Sequence, residues 1–402
     1  MSERYDIAIV GGGVVGAALA LLLVKEAGIA AASVLLIERD RPRAPGTGAA
    51  FDLRVSAISP ANQALLESVG AWQRLDPARI AAYERMVVWH EAIPADSPDA
   101  LIFDAAEMGE ARLGVIVENR ALQAALFETC EAMGIVTRSD ELAAAQFDVD
   151  GVTLELGKHS VRVELLVGAD GAQSRVREAA GIAARVDSYS QQGIVATVQG
   201  ARGHRDTAWQ CFLNTGPLAL LPLPGGQCSI VWSAVESEAA RLMSLPADAF
   251  GAAVTAASDG VLGDLVLRSE RAAFPLRRLT ASAYTAARCV LVGDAAHVIH
   301  PLAGQGVNQG LQDAAALAQA LAQRPRGESV AAQQALRRYE RARRSGNAVM
   351  AATVDGFDKV FTGGSGFTAW AAREGMALVN RSAAAKRFFF TQAAAGRSSL
   401  RR

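Results

Sequence analysis

Three glycines near the N-terminus, Gly11, Gly13 and Gly16, stand in the spacing G-x-G-x-x-G between an apolar run, YDIAIV at 5–10, and an Ala/Leu/Val-rich stretch at 14–27. Between strand and helix the three glycines serve in turn a tight turn, close approach of main chain to a diphosphate, and close packing of helix on strand. The helix start adds unpaired N–H groups and the positive end of a dipole, both suited to phosphate. Residues 34–38, VLLIE, form a second strand that ends on Glu38. A carboxylate there accepts hydrogen bonds from a ribose and disfavours a 2′-phosphate. The opening is therefore a βαβ unit suited to an unphosphorylated adenosine dinucleotide, either NAD or FAD. The competing reading is a glycine-rich structural turn.

Two later strands carry similar punctuation. VELLVGADG at 163–171 and CVLVGDAAH at 289–297 each run from an apolar strand into a Gly/Asp turn and then into helix-forming sequence. An NAD site would leave both turns without a role. Asp294 at a strand end suits hydrogen bonding to a polyol such as ribityl, although Gly-Asp after a strand is, taken alone, an ordinary turn. The stretch AAHVIHPLAGQGVNQGLQD at 295–313 is the most informative. Pro301 halts regular structure, and Gly304 and Gly306 let backbone approach a planar ligand. Val307 starts an amphipathic helix with apolar positions at 307, 311, 314, 318 and 321. The positive end of that helix suits a flavin, which gathers negative charge at N1 and the C2 carbonyl on reduction.

With these motifs in place the chain resembles the FAD-dependent aromatic hydroxylases of the para-hydroxybenzoate hydroxylase type, and within them the ubiquinone-biosynthesis monooxygenase family. The resemblance runs over nearly the whole chain. It is carried by IVGGGVVGAALALLL, DLRVSAIS at 52–59, ENRAL at 118–122, GADGAQSRVRE at 168–178, GPLALLPL at 216–223, GDAAHVIHPLAGQGVNQGLQD at 293–313 and YERARRSGNAVM at 339–350. Val307 and Gln309 stand where that family often has leucines. The resemblance implies one FAD held by Gly11, Gly13, Val14, Val15 and Gly16, by Glu38 and Arg39, and by Arg54 and Arg120 near the phosphates and ribityl chain. It further implies Asp170 and Gly171, Gly293 and Asp294, and the loop of Pro301, Gly304, Gln305 and Gly306 running into Val307 and Asn308. NAD(P)H enters as a co-substrate without a second Rossmann domain, in keeping with the single fingerprint.

The chemistry so implied has two stages: NAD(P)H reduces the flavin, and O2 then delivers one oxygen atom to an electron-rich phenol ring. The cofactor carries the hard steps, so no set of catalytic side chains is obligatory. His300 is a candidate to assist a phenol proton; a histidine beside a turn, such as it or His297, is more often a structural hydrogen-bonder. The expected substrate is a polyprenylated phenol or benzoquinol on the way to ubiquinone, and other proteins of that route are expected partners. The GPLALLPL strand, being apolar, favours such a substrate over a small soluble aromatic. A chain that binds FAD as an assembly subunit without turnover is the rival from a different class; it would show no substrate-stimulated NAD(P)H consumption.

If all three turns serve one ligand, the elements that position them form a discontinuous domain. The expected architecture is α/β: a Rossmann-like FAD-binding domain from 1–75, 111–180 and 276–330, an inserted antiparallel-sheet substrate domain from 76–110 and 181–275, and a C-terminal helical region, 331–402. The length of 402 residues allows two or three domains. With 51% hydrophobic and 20% charged residues the chain reads as packed and globular. Forty Lys plus Arg against 41 Asp plus Glu give a net charge of −1, which leaves no field favouring nucleic acid. Cys130, Cys211, Cys228 and Cys289 are spread singly, with no metal or redox clip, which fits a reducing cytoplasm. The N-terminus shows no basic leader, and no apolar run of about 18 residues spans a membrane. RRYERARR at 337–344 reads as a solvated helix face. Lys386 and Arg387 beside Phe388, Phe389 and Phe390 suit either a membrane-surface anchor on the inner face or a core-closing helix.

Overall fold

The computed structural model describes residues 3–46, 48–299 and 306–361, with side chains of the last stretch described to Asn347. Among the described residues the strands form three sheets, of eight, nine and three strands. The first sheet has at its centre five parallel strands in the order Cys289–Leu291, His159–Gly168, Glu3–Val10, Val34–Ile37 and Val136–Arg138. Their near-continuous Val/Ile/Leu runs match a sheet covered on both faces. Ile7, Ile9, Leu35, Leu36, Leu165 and Leu166 are fully buried.

Helix Val14–Lys25 follows the glycine turn and buries Val14 and every residue from Gly16 to Leu23. It is apolar all round because it is packed all round, touching helices Asn119–Ala132 and Gly306–Ala322. Gly310 permits the second contact: a Cβ there would lie 2.4 Å from Cγ2 of Val15. Helix Gln333–Phe361 then lies against helix Gly306–Ala322.

The nine-stranded sheet is built around the long strand Ala184–Gly200, which pairs antiparallel with Gln227–Val235, Leu265–Leu267 and Ala272–Ala281. The pairing of Thr207–Leu213 with Arg85–His90 is parallel. The sheet's last long strand runs to Ala281, and the short His297–Val298 strand pairs with it, so the segment after Asp294 is stitched to this sheet. One face, with Trp89, Leu218, Leu220, Ile230 and Trp232, packs beneath helices Glu236–Ser244 and Ala247–Ala257. The other meets the three-stranded sheet through Ala57, Ile116, Ala208, Leu221 and Leu223.

That packing corrects one expectation. Every residue of strand Gly216–Pro222 is buried, its alternate side chains entering two different cores. The apolarity of GPLALLPL reports a central strand covered on both faces and says nothing of the substrate. The segment 337–344 also departs from a wholly solvated face. Arg337, Arg341 and Arg344 are exposed, but Tyr339 is fully buried and donates its hydroxyl to Leu291 O at 2.8 Å. His300, Pro301, Gly304, Gln305 and the Phe388–Phe390 cluster lie outside the described residues.

Candidate functional site

The C-terminal ends of the parallel strands open on a cleft of about 850 Å³ whose far wall is the Ala272–Ala281 strand. Open parallel sheets hold ligands in that place because strand ends and helix starts meet there. Around the first sheet the cleft receives Gly13, Glu38, Arg54, Gly171 and Asp294 from turns and connecting segments, and Val14, Val15, Arg120, Gly306 and Val307 from the starts of three helices. From the second sheet come Phe274, Leu276, Arg277, Val298 and Ile299. The three motif turns, far apart in sequence, thus share one space.

The glycine turn divides its roles as its spacing implies. Gly11 has φ +102°, and a Cβ there would lie 2.3 Å from Ala169 O. A Cβ on Gly16 would lie 1.9 Å from Gly11 O. Both positions are closed by the protein itself. Gly13, the N-cap of the first helix, has nothing within 4 Å of a Cβ and no side chain capping it. Its open side is the cleft, and the first helix turn faces it with unsatisfied N–H groups. Glu38 is oriented by the Gly12 N–H, which donates to its Oε2 at 2.7 Å.

Arg54 and Arg120 are exposed on the wall. Arg120 donates through Nε to Arg43 O at 3.3 Å. The segment before Arg54 is fixed by a buried ion pair: Glu118 takes Nε and Nη2 of Arg79 at 2.7 and 2.8 Å and accepts the Asp52 N–H at 2.7 Å. Arg79 also holds the carbonyls of Ala49 and Ala50.

The Asp294 turn is clamped from two sides. Arg177, 7% exposed, donates to Ala295 O and to Ala172 O, both at 2.9 Å, and so bridges the Asp170–Gly171 turn to the Asp294 turn. Asp313, fully buried, accepts the Gly293 N–H at 3.0 Å and Nε2–H of His297 at 2.6 Å. Burial pushes the Asp313 carboxyl up, but His297 and Arg343 outweigh it and hold the group down at about 2. Asp294 is exposed to the cleft, between the buried Gly293 and Ala295. Desolvation by the surrounding protein raises its carboxyl above the ordinary value, against the pull of His297 and Arg54.

Three expected positions are placed differently. Arg39 pairs with Asp40 at 3.0 Å with 70% of its side chain exposed, and is not on the cleft wall. The Asn308 side chain is buried, donating to Ala57 O and accepting from Ser59 N and Asn62 Nδ2; it fixes the helix start and is turned from the cleft. The Asp170 carboxylate accepts from Ser174 Oγ and Val176 N, so it caps the short helix Arg175–Ala179 while Gly171 meets the cleft.

The sequence pattern of the FAD binding domain family matches residues 4–354. The chain belongs to this family. It is similar to ubiquinone hydroxylase UbiL of Rhodospirillum rubrum, 37% identical over 392 residues that span 96% of this chain and 89% of that protein. It is also similar to 3-demethoxyubiquinol 3-hydroxylase of Escherichia coli K12, 38% identical over 360 residues, 89% of this chain and 90% of that one. Among solved structures, p-nitrophenol 4-monooxygenase PnpA of Pseudomonas putida DLL-E4 shares the fold, with TM-score 0.79 at 18% identity over 99% of this chain and all of that one.

FAD fits the residues present. The open side of Gly13 and the uncapped helix start suit the diphosphate, the oriented Glu38 suits the ribose, and Asp294, exposed on the cleft, suits a polyol donor. Among the described residues no cluster of His, Cys, Asp or Glu could hold a metal ion. Sequence reasoning passed over Glu118, Arg177, Asp313 and Arg343 as individual residues. Each had a visible signal, an acid or arginine inside a quoted motif, but the partner that gives it meaning lies elsewhere in the chain.

Proposed function

We propose that the protein is an FAD-dependent monooxygenase that uses NAD(P)H and O2 to hydroxylate the aromatic ring of a polyprenylated phenol or benzoquinol in ubiquinone biosynthesis. The observation that carries the reading is a two-sided cleft. Phosphate-handling and polyol-handling residues around the first sheet face a wall from the second whose apolar part is Phe274, Leu276, Val298 and Ile299, with Pro275 and Arg277 beside them. An aromatic ring laid on that wall meets the flavin side directly. The hydroxylase relatives act on ubiquinone-type rings by name, which supports the same substrate class here.

FAD, when bound, supplies electron transfer from NAD(P)H and the activation of O2. The chain's own residues bind, orient and exclude water. In this reading Val14, Val15 and the Gly13 turn take the diphosphate with Arg54 and Arg120 nearby, Glu38 takes the adenosine ribose, and Asp294 takes the ribityl chain. Gly306 and Val307, opening the helix Gly306–Ala322, place its positive end beside the ring system. The apolar wall keeps water from the reacting centre and sets the ring carbon at a fixed distance. Phe274 is held flat against the sheet because Gly193 opposes it without a side chain; a Cβ there would meet the Phe274 ring at 3.0 Å.

The first and second sheets then form the cofactor and substrate parts of the molecule, with the helix Gln333–Phe361 bracing the first. No helix among the described residues is long and apolar enough to cross a membrane. In this reading the long-chain substrate is taken from the bilayer by contact at its surface, on the cytoplasmic side and beside other proteins of the route. Deleting the gene and profiling the quinone pool by mass spectrometry tests the reading. An accumulated intermediate lacking one ring oxygen supports it; an unchanged pool in a strain with no second copy contradicts it.

A further inference from the structure

We propose that Arg343, acting through Asp313, couples the helix Gln333–Phe361 to the turn that presents Asp294, so that FAD binding and docking of this helix stabilise one another. The proposal rests on the reading that Asp294 holds the flavin's ribityl chain.

The geometry divides one buried carboxylate between two structures. Oδ2 of Asp313 faces the turn and accepts from Gly293 N and His297 Nε2. Oδ1 faces the helix and accepts from Arg343 Nε at 2.6 Å and Asn347 Nδ2 at 3.4 Å. Gly293 precedes Asp294 and His297 follows it by three residues, so Asp313 secures both ends of the segment that carries this cleft carboxylate. Arg343 uses the rest of its guanidinium on the same junction, donating to Gln309 Oε1 at 3.0 Å, Asn347 Oδ1 at 2.8 Å and Gln312 Oε1 at 3.3 Å.

Two further contacts close the junction. Tyr284 lies 5.7 Å from the His297 ring with planes 30° apart, and its N–H donates to Glu340 Oε1 at 2.9 Å. Glu340 also accepts from Thr285 Oγ1 at 2.7 Å. Tyr339, Glu340, Arg343 and Asn347 thus form one face of the helix, spaced to meet the strand ends behind the cleft.

A buried carboxylate deprived of its cation is costly, because the charge stays out of water without compensation. If the helix undocks, Asp313 loses Arg343 and its hold on Gly293 and His297 is altered, and the Asp294 turn loosens. A ligand that fixes Asp294 orders the turn and so favours the docked helix. The coupling is reciprocal, as any equilibrium linkage must be. Neither Arg343 nor Asp313 lines the cleft; they are positioning residues.

The test combines FAD titration of the apoprotein, read by flavin fluorescence, with amide hydrogen exchange over residues 336–347 with and without FAD. In the unaltered protein FAD slows exchange in that segment, and Arg343→Gln both abolishes this slowing and weakens FAD binding about tenfold, the worth of one charge-assisted hydrogen bond. Arg343→Lys recovers part of the affinity, because an ammonium can meet Asp313 but cannot also reach Gln309 and Asn347. Exchange that FAD leaves unchanged in the unaltered protein overturns the proposal without recourse to any variant. So does an Arg343→Gln affinity within about twofold of the original, less than a hydrogen bond's worth. Asp294→Ala separates the two levels. If it weakens FAD while Arg343→Gln does not, the coupling fails alone; if it leaves FAD binding intact, the ribityl assignment fails and the coupling with it.

Discussion

Gly11 and Gly13 are two positions apart and answer to different constraints. Gly11 is required by the chain itself, through its φ of +102° and the Ala169 carbonyl 2.3 Å from any added Cβ. Gly13 has extended backbone and free space, so the protein tolerates a side chain there, while the diphosphate of the proposed function does not. Gly13→Leu is expected to leave the apoprotein's melting temperature nearly unchanged and to abolish FAD retention, whereas Gly11→Ala lowers the melting temperature of the apoprotein itself. Calorimetry of both apoproteins beside an FAD titration checks the contrast; equal destabilisation by the two would refute it. Asp294 gives a pH signature. Desolvation by the surrounding protein raises its carboxyl, and in the proposed function a ribityl hydroxyl donates to the ionised form. FAD affinity is therefore full above the raised pKa and falls as pH drops through it, at a higher pH than an ordinary carboxylate near about 4 would give. Measured FAD Kd against pH should show that fall, and Asp294→Asn should flatten it.

At the scale of elements, the fold depends on helices brought closer than side chains usually allow. The helix Gly306–Ala322 meets Val15 through Gly310, where a Cβ would sit 2.4 Å from a branched and rotamer-restricted side chain. Gly310→Ala is expected to cost about 1–3 kcal/mol by overpacking, and Val15→Ala in the same chain to recover most of it. Chemical denaturation of the two single variants and the double variant measures the coupling; additive losses would show that the contact is not the cause. The strand Gly216–Pro222 teaches the opposite lesson about reading elements. A continuous apolar run means burial on two faces, and only the sheet's neighbours reveal that both are core. The same limit applied to RRYERARR, whose exposed and docked residues differ by one position on a helix wheel.

Across the whole molecule, the α/β architecture with its antiparallel second sheet was legible through the resemblance, whereas at the scale of the site what the sequence made legible was local. The glycine turn, Glu38 and the Asp294 turn each combine strand, turn and cleft-facing residue within a few positions. The rest needed partners at long separation: Arg79 with Glu118, Arg177 with Ala295, Asp313 with Arg343. An arginine or a carboxylate announces that it will seek a counterpart, but spacing cannot name that counterpart when the chain returns from another element. Gln309 shows the consequence. It stands out in the sequence as a departure in a helix, and in the structure its Oε1 accepts from Arg343. In the proposed function two sheets, one handling phosphate and polyol and one presenting an apolar wall, are joined to place oxygen on an aromatic ring. The most direct test is to give the FAD-loaded protein NAD(P)H, a short-chain prenylated phenol and 18O2, and to weigh the product. One 18O on the ring for each NAD(P)H consumed is the expected result; NAD(P)H consumption that yields only hydrogen peroxide, or none that the phenol stimulates, would contradict the proposed hydroxylation.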